Sequence, residues 1–464
     1  IAKKLNKSET IINNLANTYI KSNNYILALK ELSESLKLNN KNPKTFNNYG
    51  LLLISQKKEL ESIKYFEAAI NLNKDYMDPK YNLLEILEKT NNKALLEKYL
   101  KREITNFPNN KILKYFNSVY LSLNNKNKEA LSVLQSLKFT SLENNWEYRR
   151  LNLLGIINDK IGKYRQAFKF HKDANEFLIN NNCQNLFNEK KYYNKLINLK
   201  KYNKHKDENN DKISHNKTTF FFLVGFPRSG TTLLDSILSS HSKITVLEEQ
   251  PLIENTINKL TEKQKIVCNN LDKDKLRKTY FEQVSKITNE EQFSNKIIID
   301  KMPLNLIYLN LIKNLFPESK IIFSLRHPLD TILSCYFQNF ILNEAMVNFL
   351  DLQRAAEIFS ICMEIFSSQK QKKSKNMLFV KYENLVSNFN EELLKICKFM
   401  EIKEELAMKN YYRSISKKQR VRTASYNQVN KPIYTTSKYR WLNYKNELLP
   451  IMNIVDKWIK FYEY

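Results

Sequence analysis

The stretch that most constrains this 464-residue chain runs from Thr219 to Ser240. Thr219 to Gly225 is a short apolar run rich in phenylalanine, the pattern of a buried strand. Gly225-Phe226-Pro227-Arg228-Ser229-Gly230-Thr231-Thr232 follows, and then the helical pattern LLDSILSS. A strand, a tight loop and a helix start are the parts of an anion cradle. Backbone N–H groups at a helix N-terminus lack partners, and the helix dipole adds partial positive charge there. The hydroxyls of Ser229, Thr231 and Thr232 add donors, and Gly230 lets the backbone come close. A nucleoside-triphosphate loop carries Lys before its Ser/Thr. Here that position is Thr231, and the positive charge lies inside the loop, on Arg228.

Further short apolar runs occur at Ile297 to Ile299, Ile321 to Leu325 and Met377 to Val380, separated by helical patterns. Strands alternating with helices predict an α/β domain with a mostly parallel sheet. The first half has a different grammar. From about Ile11 to Leu178 it reads helix, turn, helix, with a phase of roughly 34 residues. Leu15, Ala16, Tyr19, Ala28 and Leu32 mark one unit; Tyr49, Gly50, Leu53, Ser62, Phe66 and Ala69 mark the next. Leu154, Gly155, Ala167 and Ala174 mark a later one, and the register from Met77 to Leu137 is less clean. This resembles the tetratricopeptide repeat, an all-α solenoid whose concave face suits a peptide or protein ligand. A generic helical bundle is the competing reading. Residues 200–217 are polar and linker-like. The expected division is therefore a repeat domain over 1–199, a linker over 200–217 and an α/β domain over 218–464.

The second anion site is expected at Arg326, which follows the run Lys320 to Leu325, with Pro328 opening a helix and Ser334 two turns along it. Open α/β sheets bind ligands at strand C-termini, and an arginine fork with a helix hydroxyl can clamp one phosphate. These features together are similar to the sulfotransferases that use 3′-phosphoadenylyl sulfate (PAPS). GFPRSGTTLL resembles their 5′-phosphosulfate loop, and the Arg-x7-Ser spacing resembles their 3′-phosphate site. The resemblance runs from about Phe220 to Tyr464. With the repeats, the chain looks like the tetratricopeptide-repeat sulfotransferases, and its second half looks closest to the tyrosylprotein branch.

The resemblance implies PAPS as donor, adenosine 3′,5′-bisphosphate as product and no required metal. It assigns donor contacts to Arg228, Ser229, Gly230, Thr231, Thr232, Arg326, Ser334, Tyr382, Ser425 and Arg440. Tyr382, within Val380 to Leu385, falls near the adenine in the family pattern; packing under the sheet is the alternative for it. Lys301, in a Lys-x-Pro setting, stabilises the bridging oxygen in the family. A surface lysine paired with Asp300 is the alternative there. Glu249 lies 21 positions after Arg228, as the family's glutamate base does, and Glu248 competes with it. Arg228, Lys301 and Glu249 are thus the catalytic candidates. The family's further arginine, one turn after the serine, is Gln338 here.

The five histidines, His171, His205, His215, His241 and His327, do not match the histidine-base branch. A net charge of +27 fits attraction of an anionic donor, but its lysines are spread along the chain, so no nucleic-acid role is expected. Abundant asparagine reads as a coding bias tied to no one element. Five cysteines without C-x-x-C spacing, no signal peptide and no membrane-length apolar stretch lead to an expected cytoplasmic location. A kinase or ATPase with an atypical loop, and a repeat scaffold with an inactive nucleotide domain, are the rival functions.

Overall fold

The computed structural model describes residues 8–56, 58–140, 144–183, 188–202, 220–267, 271–288, 297–368, 375–413 and 432–464. The chain divides after Lys163 into two compact units.

In the first unit, helices begin at Glu9, Pro43, Met77 and Lys111, each 34 positions after the last, with a further one at Asn144. Their partner helices begin at Tyr25, Glu59, Lys93 and Asn127, again 34 apart. The middle register, unclear from apolar residues alone, is therefore regular. Close approach of the second pair depends on Gly50, where a Cβ would sit 2.4 Å from the Phe66 ring. Neighbouring pairs also share buried amides. Asn13 Nδ2 donates to Ser35 Oγ at 2.9 Å and Thr45 Oγ1 at 3.0 Å, and Asn82 Nδ2 donates to Asn47 Oδ1 at 2.9 Å. The asparagines do follow the structure in this unit. Asn24, Asn42, Asn92 and Asn110 cap helix N-termini with their side-chain oxygens. Asn23, Asn91 and Asn125 hold left-handed turn positions, which asparagine tolerates better than most residues.

The second unit is built on five parallel strands: β1 (Phe220–Gly225), β2 (Ile244–Glu248), β3 (Ile297–Lys301), β4 (Lys320–Leu325) and β5 (Met377–Lys381). Their order is β2-β3-β1-β4-β5. The chain leaves β1 to one side and returns to β4 on the other, which makes the β1/β4 boundary the reversal point where such sheets bind ligands. β2 is a strand that apolar runs alone did not reveal, since ITVLE interrupts its three apolar residues with Thr245 and Glu248 and forms the sheet's edge.

Register sets what meets at the rim. Gly225 pairs with Ser324, which places the loop after β1 beside Arg326. Leu325 pairs with Lys381, which brings Tyr382 alongside, and Glu248 pairs with Lys301.

The helices Tyr164–Leu178 and Glu189–Tyr202 belong to this second unit. Ala167, Tyr192, Leu196 and Leu199 are buried in the same core as the strands. The boundary expected at 199/200 thus differs from the compact units, because the periodic pattern of these helices is satisfied by the core of the α/β unit. Residues 203–217 of the expected linker lie outside the described residues, and 200–202 end a helix. No described helix is long and apolar enough to cross a membrane.

Candidate active site

The loop after β1 is held in an unusual backbone. Arg228 has φ 69°, a left-handed conformation that non-glycine residues adopt at a cost. Gly230 has φ 105°, and a Cβ there would meet the Tyr382 ring at 3.0 Å. The surroundings fix this shape. Ser324 Oγ donates to the Ser229 carbonyl at 2.9 Å, and Cys335 Sγ donates to the Pro227 carbonyl at 3.3 Å. The helix Thr231–Leu238 begins without a side-chain cap, so its first N–H groups face the loop's concavity.

The two expected anion sites are physically joined. Arg228 Nε donates to Ser334 Oγ at 3.0 Å. Arg326 donates to the Arg228 carbonyl at 3.2 Å and to the Ser437 carbonyl at 2.6 Å, while its guanidinium lies 4.9 Å from the Tyr382 ring centre. Tyr382 therefore forms the floor between loop and arginine.

Burial, and the charges of Arg326 and Arg440, push the Arg228 guanidinium down to about 10 against partial compensation from Cys335 and Tyr434. Arg228, Arg326 and Arg440 are half-buried, and of these Arg326 has a carboxylate, Asp330, at 3.9 Å; like charges brought together this way repel and favour an anion between them. Ser229 Oγ and Arg326 Nε are also buried without a hydrogen-bond partner among the described residues. A multiply charged anion in this pocket would meet both needs, so the residues present fit a nucleotide with separate phosphate-like groups. Arg440 opens a 3₁₀ turn with its guanidinium 5.5 Å from the Phe337 ring. Gln338, one turn after Ser334, donates weakly to the Asn339 carbonyl at 3.4 Å. Ser425 lies outside the described residues.

Beside this pocket, at the ends of β2 and β3, stands a charged cluster. Lys301 is fully buried. Its Nζ donates to Glu249 Oε1 at 2.7 Å, with Glu248 at 3.7 Å and Asp235 at 3.9 Å. Burial works to lower the Lys301 pKa, but Glu249, Asp235 and Glu248 outweigh it and hold the ammonium above its ordinary value. The alternative of a surface lysine paired with Asp300 is set aside: Lys301 is buried, and Asp300 accepts from Tyr280 at 2.9 Å. Consecutive strand residues point to opposite faces, which separates the two. Glu249 has φ 46°, and its N–H donates to the Lys301 carbonyl at 2.8 Å, so the residue after β2 is turned back onto β3. Glu248 and Glu249 both face the lysine, Glu249 more closely.

Asp235, on the helix after the loop, was not singled out by sequence. Its only signal was a carboxylate inside an otherwise apolar helix start. His241 Nε2 lies 3.0 Å from the Lys403 carbonyl, and His327 Nδ1 accepts from the Leu329 N–H at 3.3 Å. Both rings are occupied with nearby backbone groups.

The second unit is thus an α/β fold on a five-stranded parallel sheet, with cationic and carboxylate side chains gathered at its rim. Residues 221–405 match the family model described as "Sulfotransferase family". An uncharacterized protein of Aquifex aeolicus (strain VF5) is 29% identical over 253 residues, 52% of this chain and 32% of that relative. Protein-tyrosine sulfotransferase A of Caenorhabditis elegans is 23% identical over 250 residues, 49% of this chain and 62% of that relative. The chain thus spans less than two thirds of either relative. Among solved structures, the sulfotransferase domain from the curacin biosynthetic pathway is 20% identical, covering 49% of this chain and 92% of that one, with a TM-score of 0.36. The tetratricopeptide-repeat protein YrrB is 19% identical, covering 38% of this chain and 90% of that one, with a TM-score of 0.29.

Proposed function

We propose that this protein transfers a sulfuryl group from PAPS to a hydroxyl acceptor, with tyrosine in a polypeptide as the acceptor, while the repeats recruit the polypeptide. The carrying observation is the convergence of Arg228 and Arg326 at one rim, where Ser229 Oγ and Arg326 Nε are buried without a hydrogen-bond partner among the described residues. The donor supplies the sulfuryl group. The loop N–H groups with Ser229, Thr231 and Thr232 bind its phosphosulfate end, and Arg326 with Ser334 binds its 3′-phosphate. Arg440 supplies the third positive charge that position 338 lacks.

Sulfuryl transfer, like phosphoryl transfer, demands positioning, charge stabilisation and a base. Glu249 takes the acceptor's proton at a carboxylate oxygen. Lys301 remains protonated across the neutral range and, with Arg228, stabilises the oxygen that carries charge away. The 2.7 Å contact between Lys301 and Glu249 keeps both groups in place before substrates arrive. The relative named as a protein-tyrosine sulfotransferase supports the acceptor class. No metal is required by these roles.

The test has two arms. Calorimetry should show adenosine 3′,5′-bisphosphate binding far tighter than ATP, with Arg326→Ala weakening it by about a hundred-fold, as expected for loss of a charge-assisted fork in a buried site. Glu249→Gln should leave that affinity intact and abolish transfer of labelled sulfate. Equal affinity for ATP and the bisphosphate overturns the donor assignment. Normal turnover by Glu249→Gln moves the base to Glu248.

A further inference from the structure

We infer that a cleft on the second unit, along the helix Glu189–Tyr202, is the subsite that holds the acceptor polypeptide; this rests on the reading of the protein as a polypeptide sulfotransferase. The cleft has a volume of about 680 Å³, and its walls include Lys191, Asn194, Lys195 and Asn198 on this helix, faced by Glu254 and Asn258.

Its position follows from the catalytic strands. Glu254 lies five positions after Glu249, on the helix Leu252–Thr256 that the chain forms on leaving β2. Lys195 donates to Glu254 at 2.8 Å, and its ammonium lies 5.5 Å from the ring centre of Tyr308. Tyr308 ends the 3₁₀ turn Pro303–Tyr308, which follows Lys301. The segment leaving Glu249 therefore lines this cleft, and the turn that follows Lys301 ends beside its Lys195. The two anion sites lie at β1, β4 and β5 instead, so the cleft falls on the β2/β3 side of the sheet, the side of Glu249.

The chemistry of the walls selects the ligand class. Lys195 pairs with Glu254 and Lys191 with Glu344 at 2.5 Å, and Lys265 also lines the cleft, so its formal charge is +1. Asn194, Asn198 and Asn258 each offer a donor and an acceptor on one planar group, the complement of a peptide unit. None of the lining side chains among the described residues is aromatic, which removes the stacking face a sugar ring would use. From Asn188 to Asn198 the helix face is about 15 Å long at the α-helical rise, room for roughly four or five residues of extended chain. Asn194 and Asn198 are exposed, so their amides face solvent and their replacement does not disturb the core.

The experiment uses the full chain with labelled PAPS and two probes, short tyrosine peptides and N-acetyltyrosinamide, which is too small to span the cleft. Asn194→Ala/Asn198→Ala should raise KM for the peptides by about ten-fold at unchanged kcat, the mark of lost uniform binding. Turnover of N-acetyltyrosinamide and affinity for adenosine 3′,5′-bisphosphate should stay as in the parent. Asn258→Ala, on the facing wall, should act in the same direction. An unchanged peptide KM in both variants overturns the subsite while leaving the enzymatic reading intact, and so does an equal loss with N-acetyltyrosinamide. A parent protein that sulfates neutral oligosaccharides and no peptide overturns the acceptor reading itself, and the subsite with it.

Discussion

Asp300 and Lys301 are neighbours in one strand, both fully buried, with opposite electrostatic fates. Lys301 has three carboxylates within 4 Å, whereas burial pushes the Asp300 carboxyl up to about 7 despite the hydrogen bond from Tyr280. A carboxyl whose folded pKa exceeds its unfolded one binds more protons when folded. Stability is then lost as pH rises from the unfolded value toward about 7, and the penalty is complete above it. A rise of that size corresponds to a penalty on the order of 4 kcal/mol. Asp300→Asn keeps an acceptor for Tyr280 and removes the ionisation. Its urea midpoint should exceed that of the parent at pH 8 and match it near pH 4; a variant no more stable at pH 8 contradicts the assignment. Much of this residue-scale picture was legible in sequence: Arg228, Thr231, Arg326 and Ser334 sit in a linear pattern with fixed spacing, and the fold brings their loop and helix together at one rim. The burial of Lys301 and the approach of Asp235 were not legible, because each depends on a partner in another element. A lysine at a strand end looks the same in sequence whether it faces water or three carboxylates.

The elements show the same split between local and non-local signals. Helix starts 34 apart are written in turn and capping residues, so Asn23, Asn91 and Asn125 mark the phase more cleanly than the apolar residues do. The Gly50–Phe66 contact is the tightest expression of that phase. Gly50→Ala would place a methyl group within 2.4 Å of a fully buried ring. Overpacking of this kind costs about 1–3 kcal/mol, against which alanine's better helix propensity returns about 1 kcal/mol. The net effect should be a lower urea midpoint for the first unit, followed by circular dichroism. Phe66→Leu in the Gly50→Ala background should recover part of it, since the smaller side chain vacates the space. A Gly50→Ala protein as stable as the parent would show that the ring moves aside freely. β2 was hidden for the opposite reason: its identity comes from pairing with β3, and its own residues alternate too weakly to announce a strand.

At the scale of the whole molecule, the division between units is where sequence pattern and packing part company. Residues 164–178 continue the repeat rhythm with Ala167 and Ala174, so a periodicity reading carries the solenoid through them. Packing assigns them to the α/β unit. His171 is buried with its ring stacked on Phe337 at 4.1 Å, and Asn175 Nδ2 donates to the Tyr336 carbonyl at 3.0 Å, at the C-terminal end of the Ser334 helix. Burial, with Arg440 nearby, pushes the His171 imidazole down to about 3, so this stack is neutral in neutral solution. The helix Tyr164–Leu178 thus supports the wall that carries Ser334 and Arg440. Two truncations separate the alternatives. A chain beginning at Tyr164 keeps Ala167, His171, Tyr192, Leu196 and Leu199 in the core and should bind adenosine 3′,5′-bisphosphate like the full protein. A chain beginning at Lys200 loses them all. Each large apolar side chain among them contributes roughly 1.5–3 kcal/mol by burial, and a typical domain has only about 5–15 kcal/mol in hand. That shorter chain should be insoluble or should lack a cooperative thermal transition. If it folds and binds nucleotide as well as the longer one, the two helices are dispensable to the α/β unit, which then begins at its first strand.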